Sequence, residues 1–78
     1  KLSFKYKFEL GLLPKEIDEI QIKILNINNK LRDSNLYLNE PDHFTEITEE
    51  VYLLKESLKI KEDRWIELLE IQESNNLS

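Results

Sequence analysis

The stretch LGLLPKEIDEIQIKILNINNKL, residues 10–31, decides the fold. Within it Leu10, Leu13, Ile17, Ile20, Ile24, Ile27 and Leu31 recur at alternating steps of three and four. Such a spacing, about 3.5 residues on average, keeps one face of an α-helix continuously apolar. The same rhythm returns in the second half at Phe44, Ile47, Val51, Leu54, Leu58, Lys61, Trp65 and Leu68. A reversal between Leu31 and Phe44 sets Leu31 against Phe44, Ile24 against Val51, Ile17 against Leu58 and Leu10 against Trp65, all in one register. The expected fold class is therefore all-α. It is an intramolecular antiparallel two-helix coiled-coil hairpin, with a short N-terminal helical segment packed near the open end.

Punctuation residues set the expected boundaries within a single coiled-coil domain. Residues 1–13 form an N-terminal segment, helical from about Ser3, because the alternating Phe4, Tyr6 and Phe8 have no strand partner in a helical chain. Gly11 and Pro14 break the pattern, since proline removes a backbone donor and crowds the carbonyl four residues back. Pro14 then opens a first helix over residues 14–33, with Glu16, Asp18 and Glu19 near its start and Lys30 and Arg32 near its end, as the helix dipole favours. Residues 34–40 form the connection, where Leu36 and Tyr37 plug the open end of the hairpin. Asn39 or Glu40 caps a return helix over residues 41–73 with Pro41 in its first turn, and residues 74–78 fray.

Flanking charges agree with the antiparallel arrangement: Lys23 meets Glu50 and Glu9 meets Arg64 across the seam. Lys61 sits at a seam position opposite Leu13 and Pro14, where its aliphatic stem lies in the seam and its ammonium reaches outward. Trp65, opposite Leu10, reads as the anchor that clamps the N-terminal segment rather than as a stacking platform for a base. Ile22, Leu25, Leu53, Ile60, Ile66 and Ile71 lie off the seam. Either Leu2, Phe4, Tyr6 and Phe8 fold back to cover some of them, or they form a docking surface.

Charged residues make up 35% of the chain, with one glycine and two prolines, which fits long solvated helices far better than a sandwich or barrel. The chain has no cysteine, so neither a disulfide framework nor a thiolate metal site exists in these residues. No apolar run approaches a membrane span and no signal-peptide pattern opens the chain, so a cytoplasmic protein without a membrane partner is expected. The chain does not begin with Met and reads as a fragment of a longer protein. His43 is the only histidine and has no partner ligand in sequence, the acidic residues lack an enclosing cleft, and no glycine-rich phosphate loop is present. No enzyme and no cofactor are expected within these residues.

The net charge is −5, but it is unevenly distributed. Residues 1–13 carry Lys1, Lys5 and Lys7 against Glu9, residues 14–33 balance, and residues 34–78 hold eleven acids against four bases. Contact with nucleic-acid phosphates therefore rests on Lys1, Lys5 and Lys7 at one end, Lys15 and Lys23 along the first helix, and Lys30 and Arg32 at the tip.

Several short motifs occur in a distinctive order: Lys1-Leu2-Ser3-Phe4-Lys5, a Leu10-to-Pro14 stretch ending Leu-Pro, Asp33-Ser34-Asn35-Leu36-Tyr37, the Pro41-to-Phe44 return, and Glu62-Asp63-Arg64-Trp65. In this the chain resembles the C-terminal domain of Uup-type ABC-F ATPases over nearly its whole length. The resemblance implies an intramolecular antiparallel coiled coil with an irregular helical turn in the hairpin region, attached behind two ATP-binding cassettes in a cytoplasmic bacterial protein. It also implies DNA binding, with ATP as the cofactor of the parent protein only. The expected function is phosphate binding to DNA, or to branched or structured nucleic acid, through Lys5, Lys7, Lys30 and Arg32. The alternative is a monomeric hairpin that docks on a protein or on the ribosome through Tyr37 and the off-seam apolar residues.

Overall fold

A computed structural model describes residues 3–77. The readings that involve Lys1, Leu2 and Ser78 fall outside the described residues. Three helices follow one another: α1 over Phe4–Leu31, α2 over Ser34–Asn39 and α3 over Pro41–Leu77. The molecule is a rod of 60 × 17 × 15 Å, too thin to enclose a globular core. What it buries is a strip between α1 and α3. Glu9 and Glu16 of α1 bond to Arg64 and Lys61 of α3, while Ile27 packs with Ile47 and Val51. The start of α1 thus lies beside the later part of α3, so the two helices run in opposite directions.

The alternating apolar residues are the ones that leave water. Leu13, Ile17, Ile20 and Ile27 of α1 and Ile47, Val51 and Leu68 of α3 are buried, and Leu68 is 0% exposed. Leu10, Ile24, Leu31, Phe44, Leu54, Leu58, Lys61 and Trp65 are half-buried. Each aliphatic side chain fully removed from water contributes on the order of 1.5–3 kcal/mol, and a strip of them offsets the entropy of ordering two long helices. Trp65 thus lies at the seam position its spacing predicts, though part of its ring stays wet.

The expected break at Gly11 and Pro14 does not occur: α1 is a single helix of 28 residues with Pro14 inside it. Its start is capped by Ser3, whose hydroxyl oxygen accepts from the Tyr6 N–H at 3.2 Å. Pro14 forfeits one helical hydrogen bond, but Leu13 and Ile17 on either side of it are buried, and that packing holds the helix through the defect. Because the helix is continuous, residues 4–8 extend α1 instead of folding back. Phe4 and Phe8 remain 84% and 64% exposed, and Ile22, Leu25, Leu53, Ile60 and Ile66 stay uncovered. Among the described residues the first of the two alternatives, intramolecular cover, is absent, with only Ile71 of that set half-buried.

α1 also ends earlier than residue 33. Arg32 caps it, and the Asp33 carboxylate accepts from the Asn35 N–H at 2.9 Å to start α2 inside the expected connection. Leu36 packs against the Ile27, Ile47 and Val51 cluster as a plug, and the Tyr37 ring meets Phe44 edge-on at 5.1 Å. Glu40 closes α2 with its N–H on the Leu36 carbonyl and opens α3 with its own carbonyl on the Phe44 N–H. Pro41 then takes the first position of α3, as the missing proline donor allows. The frayed end expected from residue 74 is instead helical to Leu77. Gln72 and Asn75 continue the seam spacing past Leu68 and are half-buried.

Candidate nucleic-acid interface

Lys5 and Lys7 project from the first turns of α1, Lys30 from its last turn, and Arg32 from its C-terminal cap; all four are exposed. At about 1.5 Å of rise per residue, roughly 37 Å of helix separates the first pair from the second. The structure therefore brings them into two groups at opposite ends of the rod rather than into one cluster. Lys15 and Lys23 lie exposed between them. A helix of 28 residues, about 42 Å long, can present such bases to successive phosphates, but only if the nucleic acid lies along it.

The bases on α3 divide into bound and available groups. Arg64 is engaged on four sides: its Nε and Nη2 donate to the two Glu9 carboxylate oxygens at 2.7 and 2.9 Å, its Nη1 donates to Glu67, and its Cζ sits 5.5 Å from the Tyr6 ring centre. The hydrogen bonds from Arg64 hold the Glu9 carboxyl below its ordinary pKa, and the reciprocal bond to Glu9 raises that of Arg64 further. This arginine ties the helices together and has little capacity left for a ligand. Lys61 follows its stem out of the seam and ends 3.4 Å from Glu16. Lys59 lies 3.2 Å from Asp63 in an exposed pair, and Lys55 is exposed.

Of the two cross-seam pairs expected from sequence, Glu9 with Arg64 forms. Lys23 with Glu50 does not: both are exposed and no ion pair joins them. The Glu16–Lys61 pair and the Tyr6–Arg64 contact were not anticipated. Tyr6 carried a usable signal, since it stands four residues before Leu10 and so continues the seam. His43 has its Nδ1 3.7 Å from Glu46 and lines a shallow groove with Asn29, Lys30, Asp33 and Leu36. Among the described residues no group of three or more His, Asp or Glu side chains is placed to hold a metal ion. No described helix is long and apolar enough to cross a membrane.

Residues 1–70 match the family described as the ABC transporter C-terminal domain. The chain belongs to that family. No curated protein and no solved structure matches it. In this ABC transporter C-terminal domain the matched residues take in all of α1 and α2 and most of α3, so the family pattern covers the exposed bases and the seam together.

Proposed function

We propose that this ABC transporter C-terminal domain is an antiparallel coiled-coil hairpin that attaches an ABC-F ATPase of the Uup type to DNA, or to branched or structured nucleic acid. The observation that carries the reading is the family membership over residues 1–70. The exposed Lys5, Lys7, Lys30 and Arg32 support it, since exposed bases can neutralise phosphates. Binding is non-specific in this reading, because phosphate contacts position a protein without reporting sequence. The parent is a cytoplasmic bacterial protein whose upstream cassettes bind and hydrolyse ATP, and the hairpin itself performs no chemistry. It acts as a monomer.

The test is a titration of labelled duplex and branched DNA with the chain at several salt concentrations. Four phosphates released from counterions give a log–log slope of about 3–4 in salt for a duplex. Replacing Lys5 and Lys7 with Glu should weaken binding and flatten that slope. Absence of binding at low salt, or binding unchanged in the double variant, removes the reading.

A second reading is favoured by the tip, where Tyr37 and Leu38 are 60% and 70% exposed beside the anchored Leu36. Here the hairpin docks through its tip on a protein or on the ribosome. Tyr37→Ala should then abolish docking and leave phosphate binding intact.

A further inference from the structure

From Phe4 to Lys15, no exposed residue of α1 is acidic. Phe4, Phe8, Gly11 and Lys15 follow one another at steps of four, three and four and so share one outward stripe of the helix. Around the helix Lys7 stands on one side of that stripe and Lys5 on the other. Two phenyl rings, 84% and 64% exposed, are thus bracketed by lysines, with Lys15 further along. Tyr6 is not available beside them, because it belongs to the seam, where Arg64 lies over its ring. That contact and the Glu9–Arg64 pair tie the first turns of α1 to α3 and so keep Phe4 and Phe8 turned to water. At Gly11 nothing stands within 4 Å of where a Cβ would be, which leaves the stripe bare between Phe8 and Lys15.

The carboxylates of this end are engaged or face elsewhere. Glu9 spends both oxygens on Arg64, and Lys5, four residues before it, contributes only the smallest of the charge effects on that carboxyl. Glu16 pairs with Lys61 and Glu67 with Arg64. The next exposed acids of α1 are Asp18 and Glu19, about 15 Å of helix beyond Phe8. On α3, Asp63 and Glu70 occupy the side turned away from α1, while Glu62 and Glu73 lie across the flank from Lys7. A second acid-free run of α1, residues 20–32, exposes Lys23, Lys30 and Arg32 but has no aromatic residue.

Aromatic rings set among cations suit a single strand, whose unstacked bases offer π-faces while its phosphates follow the charge. The rise from Phe4 to Phe8 is about 6 Å, against about 3.4 Å between stacked bases of one strand, so the two rings fit bases already drawn apart. A duplex keeps its bases stacked and would meet these rings with sugar and phosphate. A lipid surface calls for a longer apolar stripe, whereas this one passes from Phe8 to Gly11 and Lys15. We infer that the chain binds single-stranded nucleic acid on the outer face of the first turns of α1, with bases stacked on Phe4 and Phe8 and phosphates on Lys5, Lys7 and Lys15. This rests on the nucleic-acid reading above and specifies the form of the strand and the rings that hold it.

The experiment is fluorescence anisotropy of a labelled mixed-sequence single-stranded oligonucleotide, and of its duplex, titrated with the chain at low salt. It compares the parent sequence with Phe4→Ala, Phe8→Ala, Phe8→Trp and, as a control in the second acid-free run, Leu25→Ala, whose side chain is 58% exposed. Circular dichroism checks that helicity is kept. Phe4→Ala and Phe8→Ala should each weaken single-strand binding about fivefold or more, the scale of one lost stack, and leave duplex binding unchanged. Phe8→Trp should retain single-strand binding and Leu25→Ala should alter neither. Duplex binding without single-strand binding overturns this inference and leaves the broader reading standing. So does single-strand binding that neither alanine variant at Phe4 or Phe8 reduces, or a loss that Leu25→Ala or the duplex shares equally. Failure to bind either form removes both readings, and attachment to phosphatidylserine vesicles in that case assigns the face to a lipid surface.

Discussion

At the tip of the rod Ile27, Ile47 and Val51 close over one another, with Ile24, Leu31, Leu36 and Leu54 packed around them. At the far end the helices meet differently. There Arg64 bridges to Glu9 and covers Tyr6, Lys61 reaches Glu16, and Leu68 is the one side chain among the described residues wholly withdrawn from water. The far end also carries Gly11 and Pro14, the two poorest helix formers of α1. The contrast teaches that an apolar tip needs no ionic help, whereas the end with helix-breaking residues adds a set of part-buried ion pairs to its buried Leu13, Ile17 and Leu68.

The sharpest way to break that comparison is Leu68→Ala. Truncating a fully buried leucine costs about 2–5 kcal/mol, most where the surroundings cannot collapse into the space. Urea unfolding followed by circular dichroism should show a lower midpoint, with the helix population lost first at the far end by amide exchange. A uniform loss of protection along the rod would mean that the two ends do not open separately.

The next largest effect has the opposite sign. Pro14→Ala restores a backbone donor in the middle of α1 and should stabilise the chain by up to about 3 kcal/mol. Gly11→Ala should add roughly 0.5–1 kcal/mol, since a Cβ at Gly11 would meet nothing within 4 Å. Thermal unfolding checks both variants. No gain from Pro14→Ala would show that packing on either side already compensates in full.

The smallest effect concerns Glu9. Arg64 lowers its folded pKa, so the pair contributes fully above the ordinary glutamate pKa, and the contribution is lost as pH falls through the depressed folded value. Glu9→Gln should therefore remove a small, acid-sensitive part of the stability near neutral pH and leave the acid-side stability nearly unchanged. Thermal scans at neutral and acid pH, with and without added salt, measure the difference, which salt should shrink.

The seam was legible because every aliphatic residue at the alternating spacing is buried or half-buried. The continuity of α1 was not. Local rules for Pro14 argue for a boundary, and those rules are silent about the packing of Leu13 and Ile17 that overrides them. The same spacing nevertheless runs on through Tyr6 and, at the other end, through Gln72 and Asn75, a signal that both helices are longer than their proline and serine punctuation indicates. The tip was half legible: Leu36 and Tyr37 announced a plug, but an α2 started by the Asp33 carboxylate depends on a capping bond that loop composition hides. Of the candidate site, the exposure of Lys5, Lys7, Lys30 and Arg32 was readable, whereas their separation became apparent only once α1 proved unbroken.

Glu40 commits both of its backbone groups, the N–H backwards to Leu36 and the carbonyl forwards to Phe44. The corner is consequently a rigid elbow with no slack. Changing the side chain there leaves the elbow whole, but an inserted residue must release one of the two bonds, so the tip helix and the long arm move as a single piece.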